Sequence, residues 1–246
     1  MLSLRQDSHE RIRWLEIALA AARRLQHRKA EGAALGKLGT AYADLGETSR
    51  AIQFYEQYLA IAHELGHRRD EGVALGNLGT AYVVLGETRR AIQFYEQALL
   101  IDREIGDHRG EGADLGNLGI AYENLGETSR AIQFYQQALL IDREIGNRRG
   151  EGADLGDLGN AYAVLGETRR AIHFYEQQLA IVREIGDRRG EGNALWNMSL
   201  ALDQLGERAR AIQYAEQALT IREQIEDPNA AKVRARLAAW REQTNT

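Results

Sequence analysis

A motif that recurs every forty residues dominates this sequence. The segment 77–98 returns at 117–138 and 157–178 and, more loosely, at 197–218; an earlier copy occupies 37–58, and no insertion interrupts the spacing. A fixed period of this length is typical of repeat architectures, in which each unit packs against its neighbours. The fold of the chain therefore follows from the fold of one forty-residue unit.

Each unit contains two stretches with helical periodicity. In the second unit, Leu75, Leu78 and Tyr82 lie three and four residues apart and share one helical face. Ile92 and Tyr95 begin a second apolar stripe. Each stripe fits a helix of about eighteen residues, or about 27 Å at the usual rise per residue. The sequence thus predicts an all-α chain of about twelve helices arranged as antiparallel pairs.

The residues between the stripes predict where the helices begin and end. Gly86 can adopt a positive φ and end the first helix, and Thr88 is the expected N-cap of the second helix. Gly106 is expected to end the second helix. Asp107 is then expected to cap the first helix of the next repeat, which makes the connection between repeats as short as the turn within them.

The recurring residues resemble those of the tetratricopeptide repeat (TPR) family. The resemblance rests on a spacing of large and small residues, which in the second unit are Leu75, Leu78, Gly79, Tyr82, Ala91, Tyr95 and Ala98. The usual TPR has about 34 residues, so this is a longer form, similar to Pins-type adaptors, kinesin light chains and the sensor arrays of bacterial NB-ARC-like signalling ATPases. The resemblance implies a right-handed TPR solenoid over almost the whole chain.

The repeat register assigns the whole chain, 1–246, to a single array without a linker. Residues 1–30 form a partial N-terminal repeat, five full repeats follow, and a capping helix ends the array; the boundaries are 31–70, 71–110, 111–150, 151–190, 191–226 and 227–242. The first helix of the partial repeat is missing or shortened to residues 1–8. Because an exposed stacking face is sticky, we expect the chain to be a fragment of a longer protein; the alternative is a degenerate cap.

Three glycines lie inside each predicted first helix of repeats one to four, and Gly72, Gly76 and Gly79 are an example. A glycine in a helix interior costs roughly 1 kcal/mol relative to alanine, so packing has to offset the cost. Gly79 is expected to face the small Ala91 of the partner helix. Gly76 is expected to look toward the concave side, where it either leaves space for a ligand backbone or only helps the helices to curve.

Composition excludes several classes of function. The chain has no cysteine, so neither disulfides nor thiol chemistry can operate, and no apolar run is long enough to span a membrane. A formal net charge of −5 argues against non-specific binding to nucleic acid. The first residues do not have the pattern of a signal peptide. We therefore expect a cytoplasmic protein without a nucleic-acid or membrane partner.

The sequence contains no convincing catalytic, metal or cofactor motif. His63 and His67 lie near Asp70, but two ligands without a third make a weak metal site, and a solvated helix end explains both. Glu and Asp follow the repeat and are expected on exposed faces, where acid–base catalysis is not favoured. We expect no enzyme activity, no metal and no cofactor. A strongly perturbed carboxylate in the groove would reopen the question.

The TPR resemblance implies that the first helices line a concave groove that binds a protein or a linear peptide. Three rows of residues are expected there: Lys37, Asn77, Asn117, Asp157 and Asn197; Thr40, Thr80, Ile120, Asn160 and Leu200; and a rim of Asp44, Val84, Asn124, Val164 and Gln204. The asparagines either hold the backbone of an extended peptide, because an amide both donates and accepts, or only bridge adjacent helices. These positions vary between repeats while the packing residues stay fixed.

Tryptophans near the two ends form a second candidate surface. Trp14 lies in the partial repeat; Trp196 and Trp240 either serve a partner or pack the capping helix onto repeat five. The resemblance favours the sensor or scaffold array of a larger bacterial signalling protein. A free-standing peptide-binding adaptor and a homo-oligomer that assembles through Trp14 remain alternatives.

Overall fold

A computed structural model describes the backbone of residues 2–244 and the side chains of residues 9–243. The regular structure in this part of the chain consists of twelve α-helices, which confirms the all-α prediction. The helices are α1 (Leu2–Arg24), α2 (Arg28–Asp44), α3 (Thr48–Leu65), α4 (Arg68–Val84), α5 (Thr88–Ile105), α6 (His108–Asn124), α7 (Thr128–Glu144), α8 (Arg148–Val164), α9 (Thr168–Glu184), α10 (Arg188–Gln204), α11 (Arg208–Gln224) and α12 (Ala230–Thr244).

The helices form two compact units, Met1–Leu125 with α1 to α6 and Gly126–Thr246 with α7 to α12. Even-numbered helices are the first helices of the repeats, and odd-numbered helices are the second. Within the units, α2 packs on α3, α4 on α5, α8 on α9 and α10 on α11, as expected for helix pairs. First helices also touch each other, α4 with α6 in one unit and α8 with α10 in the other.

The turns follow the glycine pattern of the sequence. Gly86 and Gly106 have φ of +77° and +68° and lie just after α4 and α5, as predicted. Asp107 caps α6 as predicted, because its side chain accepts a hydrogen bond from the backbone N–H of Gly110 at 3.1 Å. The prediction for Thr88 was wrong: Glu87 is the N-cap of α5, and Thr88 is already helical.

A glycine on the first helices α2, α4 and α8 lets the ring of a tyrosine on the following second helix approach the backbone. A Cβ added to Gly79 would lie 2.6 Å from Cε1 of Tyr95, closer than real Cβ atoms approach such a carbon. The three atoms nearest to this added Cβ all belong to the ring of Tyr95, whereas the sequence predicted Ala91 at this place. The same contact joins Gly39 to Tyr55 and Gly159 to Tyr175, with Cβ distances of 2.4 Å.

Stacked aromatic pairs also join the two helices of a repeat. The rings of Tyr82 and Phe94 are parallel, with centroids 5.2 Å apart, and the guanidinium of Arg90 lies 4.0 Å from the centroid of the Tyr82 ring. Stacking and cation–π contacts of this kind each contribute about 0.5–1.5 kcal/mol. The arrangement recurs in two other repeats, in the sets Arg50, Tyr42 and Phe54, and Arg170, Tyr162 and Phe174.

Buried glutamates connect the first helices α2, α4, α8 and α10 to the second helix that precedes each of them. Glu31 is buried and accepts hydrogen bonds from Arg23 of α1 at 2.9 Å and from Arg28 of α2 at 2.7 Å. Burial raises the pKa of Glu31, but the bonds from the two arginines outweigh it and hold that pKa below its ordinary value. Equivalent glutamates at 71, 151 and 191 are also buried. The expectation that the carboxylates lie on exposed faces was wrong for these positions.

The last helix, α12, begins at Ala230, three residues after the predicted start of the capping segment at residue 227. Asp227 Oδ1 accepts hydrogen bonds from the backbone N–H and the side-chain amide of Asn229, at 2.8 and 2.9 Å. These bonds form a turn before α12, which starts at Ala230. No helix within residues 2–244 is long and apolar enough to cross a membrane.

Candidate functional site

The predicted groove residues lie on α2, α4 and α6 in the first unit and on α8 and α10 in the second. In each unit we call the surface of the first helices that carries these residues the first-helix face. All of these residues are at least partly open to solvent. Asn77, Asn117, Asp157, Asn197 and Leu200 are half-buried, and Lys37, Thr40, Asp44, Thr80, Val84, Ile120, Asn124, Asn160, Val164 and Gln204 are exposed. Side chains in these positions are available to a ligand.

A cavity of about 250 Å³ lies on the first-helix face between α4 and α6, and we call it the α4–α6 cavity. Asn77 and Thr80 of α4 and Asn117 of α6 line it, so the structure brings these three predicted residues together. No hydrogen bond within the described part of the chain involves the amide of Asn77 or Asn117. Lys37, Ile120 and the rim residues lie outside the cavity lining.

Glycine leaves the α4–α6 cavity open. A Cβ added to Gly76 would meet one atom within 4 Å, Oδ1 of Asp114 at 3.5 Å, which is ordinary van der Waals contact. A Cβ added to the equivalent Gly36 would lie 3.1 Å from the ring of Tyr58. A Cβ added to Gly156 would lie 2.3 Å from Nε2 of Gln178. Of the two interpretations of Gly76, the structure thus favours the one in which it leaves space.

Three aspartates that the groove prediction missed also line the α4–α6 cavity: Asp102, Asp107 and Asp114. Asp102 and Asp114 are buried, against the expectation that carboxylates are exposed. Burial raises the pKa of Asp114 to about 8, with a smaller contribution from the charge of Asp102. Burial also raises the pKa of Asp102 to about 6, and the neighbouring charge of Asp107 adds to the shift.

A comparison of repeat positions could have found these aspartates in the sequence. Asp114 occupies the position of Ala34, Ala74 and Ala194, and Asp102 occupies the position of Ala62. Asp154 and Asp142 are the other aspartates at these two repeat positions, and a charged residue at a position that is alanine in other repeats breaks the packing pattern. Such a break is a reason to examine the position for a function.

Tyrosine hydroxyls from the second helices reach the middle row of the first-helix face. The hydroxyl of Tyr95 lies 3.1 Å from Oγ1 of Thr80. In the second unit, Oδ1 of Asn160 accepts hydrogen bonds from the hydroxyl of Tyr175 at 2.9 Å and from Nδ2 of Asn197 at 3.0 Å. Asn197 therefore bridges α10 to α8, whereas the cavity asparagines do not have this role.

The structure separates the three tryptophans of the predicted terminal surface. Trp14 is 64% exposed on α1, whereas Trp196 and Trp240 are 8% and 1% exposed and stack with ring centroids 6.4 Å apart. Trp196 and Trp240 thus pack the capping helix onto repeat five, which is the structural role of the two interpretations. Trp196 and Trp240 are therefore not available for the terminal interface that the sequence suggested. Trp14 remains as the exposed tryptophan.

A larger cavity of about 640 Å³ lies on the side of the second helices, between α3 and α5. His63, which lines it, occupies the position of Arg23 and Arg143, whose Nη2 atoms bond the side chains of Gln57 and Gln177. Histidine is too short to reach the next helix, so the gap stays open. His63 pairs with Glu71 at 3.0 Å, and the described residues contain no group of three or more His, Cys, Asp or Glu that could hold a metal ion.

Two protein-family models described as tetratricopeptide repeat match the sequence, one over residues 70–144 and 153–224 and the other over residues 34–69. Together they cover most of the region from α2 to α11. No curated protein matches the chain.

Solved structures with a similar fold include BtubC (BKLC) from P. vanneervenii, with 22% identity, a TM-score of 0.80 and coverage of 89% of this chain and 92% of that chain. A STAND signal-transduction ATPase with a tetratricopeptide repeat sensor, from Pyrococcus horikoshii, has 20% identity and a TM-score of 0.78 over 94% of this chain and 38% of that one. A Rap protein complexed with Competence and Sporulation Factor has 16% identity and a TM-score of 0.66, over 98% and 72%. At these identities the likeness concerns the fold.

Proposed function

Because the chain belongs to the tetratricopeptide repeat family, we propose that it is a protein-interaction module whose first-helix face binds a peptide segment of a partner protein. The observation that carries the proposal is the α4–α6 cavity with its open Gly76 and the amides of Asn77 and Asn117. An extended peptide presents backbone N–H and C=O groups, and an asparagine amide can bond both. The cavity beside the amides can then select a side chain.

Within this proposal, the chain is the sensor or scaffold array of a larger bacterial signalling protein. The support is its similarity in fold to the STAND protein with a tetratricopeptide repeat sensor, where the matched region is 38% of that chain. In such a protein the array works in the cytoplasm and recognises a protein or peptide. A free-standing adaptor is the alternative, and the similarity to BtubC over 92% of that chain favours it.

The raised pKa values of Asp114 and Asp102 are the observations that favour an enzyme. Two such carboxyls can carry protons, but bond cleavage or group transfer in the α4–α6 cavity also needs an activated nucleophile in reach. The hydroxyl that lines the cavity, on Thr80, donates to the backbone carbonyl of Gly76 at 3.1 Å rather than to a base. We therefore propose a binding function without catalysis.

Selection of peptides from a random library tests the proposal. The selected peptides are titrated against the wild type and against a variant that combines Asn77→Ala and Asn117→Ala. Each lost amide bond costs about 0.5–1.5 kcal/mol, so we expect the affinity to fall about tenfold or more. The control combines Gln53→Ala and Gln93→Ala, which change exposed amides on the second helices α3 and α5. Unchanged affinity in the first variant, or a library that yields no peptide, would contradict the proposal.

Assembly of copies of this chain through α1 is a second candidate function, favoured by the exposure of Trp14 at 64% and Ile17 at 52%. Contact between two copies of the chain through α1 would remove this apolar surface from water. We expect the mass in solution to rise with concentration and Trp14→Glu to abolish the rise. A constant monomer mass over about a hundredfold range of concentration excludes this candidate.

A further inference from the structure

The walls of the α4–α6 cavity carry more carboxyl groups than cationic groups. Asp102 comes from the end of α5, Asp107 from the turn and Asp114 from α6. The cation that lines the same cavity is Arg69, whose Nη2 lies 3.1 Å from Oδ2 of Asp107. One guanidinium thus faces three carboxyl groups.

The first unit cannot form a side-chain hydrogen bond that the second unit forms at the equivalent position. In the second unit, Nδ2 of Asn147 donates to Oδ1 of Asp142 at 2.9 Å. The equivalent pair in the first unit is Asp107 and Asp102, and an ionised carboxylate has no proton to donate. Asp102 and Asp107 therefore repel each other where the second unit has an attractive contact.

A buried oxygen of Asp114 lacks the partner that such atoms normally have. The residue is 6% exposed, and no atom of the described residues forms a hydrogen bond with its Oδ2. Leaving a buried polar atom unsatisfied costs about 1–3 kcal/mol. A ligand in the α4–α6 cavity that carries N–H donors would remove this cost.

The size and shape of the α4–α6 cavity restrict the ligand to one small cationic group. Its volume of about 250 Å³ is below the range of about 300–1,000 Å³ that holds a whole drug-sized molecule. Within the described part of the chain, the acidic residues do not converge into a metal-binding group. They approach from three different elements, which suits a compact ammonium with three donors better than a planar guanidinium.

We infer that the α4–α6 cavity binds a primary ammonium group, and that it accepts a lysine side chain of the peptide held on the first-helix face. The lysine part rests on the proposed function. Gly76 leaves room for the methylene chain, and the aspartates receive the charge. The ammonium part can be tested without a peptide.

The first experiment titrates n-butylammonium into the ¹⁵N-labelled protein and follows the amide signals of Gly72, Gly76 and Gly110 by NMR. We expect saturable shifts in the wild type, none with n-butanol, and at least tenfold weaker binding in Asp114→Ala. Alanine already occupies this register at positions 34, 74 and 194, so the variant is compatible with the fold. Asp154→Ala, which removes a carboxyl of equal burial from the second unit, is the matched control and should leave the response unchanged.

The pH dependence of the same titration separates a bound cation from a structural effect. The charged groups that face the two buried carboxyls are Arg69, Asp107 and Glu111. An ammonium favours the ionised form of Asp114, so its binding releases a proton and strengthens as pH rises from about 6 to about 9. Shifts that do not saturate, or that persist unchanged in Asp114→Ala, overturn the inference.

The second experiment uses the peptides selected from the random library. In a peptide that contains lysine, that residue is replaced by norleucine, which keeps the methylene chain and removes the charge. We expect at least a tenfold loss of affinity in the wild type and a much smaller loss in Asp114→Ala. If norleucine binds equally well, the inference is overturned and the proposed function stands. If no peptide binds but n-butylammonium does, the proposed function fails and the ammonium site stands.

Discussion

Single residues on the first helices depend on the side chain that the second helix places against them. Gly79 permits the contact with the ring of Tyr95. In repeat five, Ala215 replaces the tyrosine, and the glycine position becomes Ser199, which is fully buried and donates a hydrogen bond to the carbonyl of Trp196 at 2.6 Å. The two positions therefore change together because they share one volume.

A double-mutant cycle tests this pairing. Gly79→Ser forces an overlap with the Tyr95 ring and should cost about 1–3 kcal/mol of the free energy of unfolding. In the background of Tyr95→Ala, which copies repeat five, the same change should cost much less. Urea unfolding of the four proteins measures the coupling. Costs that simply add would show that the ring and the glycine do not compete for space.

A side chain at Gly76 should not destabilise the fold as one at Gly79 does, because a Cβ added to Gly76 makes only an ordinary van der Waals contact. We expect Gly76→Ala to raise the stability by up to about 1 kcal/mol, since alanine is the better helix former. Gly79→Ala is the matched control and should lower the stability. The melting temperatures of the two variants measure these changes. A lower melting temperature in Gly76→Ala than in the wild type would mean that the space beside Gly76 is packed rather than open.

At the level of residues, the sequence predicted the turn glycines and the cap at Asp107 because they depend on local backbone geometry. It did not predict the burial of Asp102 and Asp114. Their burial depends on how α4, α5 and α6 pack, and the repeat pattern describes that packing only for the common residue at each position. The burial of a residue that departs from the repeat pattern is therefore known only from the structure.

Among the elements, the turn after each second helix ends in a left-handed residue. Gly66, Gly106 and Gly146 have this conformation, but Gln26 and Glu226 adopt it with φ of +52° although they carry a Cβ. A left-handed conformation costs a side-chain-bearing residue about 1–2 kcal/mol. The first and last turns of this type are therefore strained relative to the others.

Replacement of Gln26 by glycine should relieve this strain. We expect Gln26→Gly to raise the free energy of unfolding by about 1 kcal/mol, after the entropy that glycine loses on folding. The control is Gln53→Gly, an exposed position inside α3, where glycine should lower the stability by about 1 kcal/mol. Thermal unfolding followed by circular dichroism measures both changes, and equal losses in the two variants would contradict the account.

For the whole molecule, the buried aspartates predict how stability depends on pH. Burial raises the pKa of Asp114 and of Asp154 to about 8 each, whereas an unfolded chain releases these protons near pH 4. Between these values the folded state holds protons that the unfolded state has lost, so the free energy of unfolding falls as pH rises. Carboxylates with a lowered pKa, such as Glu31, act in the other direction and below this range.

We therefore expect a lower melting temperature at about pH 8.5 than at about pH 5.5. The difference should shrink in a protein that carries both Asp114→Ala and Asp154→Ala, because the carboxyls that bind the extra protons are gone. Calorimetry at a series of pH values provides the measurement. A melting temperature that rises through this range in the wild type would refute the assignment of buried, protonated carboxyls.

The forty-residue period was enough to predict the helix pairs of the whole molecule, because it fixes both the apolar stripes and the turns. The resemblance to TPR arrays, carried over by position, placed Asn77, Thr80 and Asn117 on one surface. It could not distinguish an asparagine that is open from one that bridges helices, such as Asn197, because neighbouring side chains decide this. The identity of a partner depends on these variable side chains rather than on the repeat.

Site-specific photo-crosslinking tests most directly whether the first-helix face binds the peptide. The photoreactive amino acid benzoylphenylalanine replaces either Thr80, exposed on α4, or Gln93, exposed on α5, and each protein is irradiated with a selected peptide. The account predicts a covalent product from position 80 that excess unlabelled peptide suppresses, and little product from position 93. Efficient crosslinking from position 93 and none from position 80 would place the peptide on the second helices and contradict it.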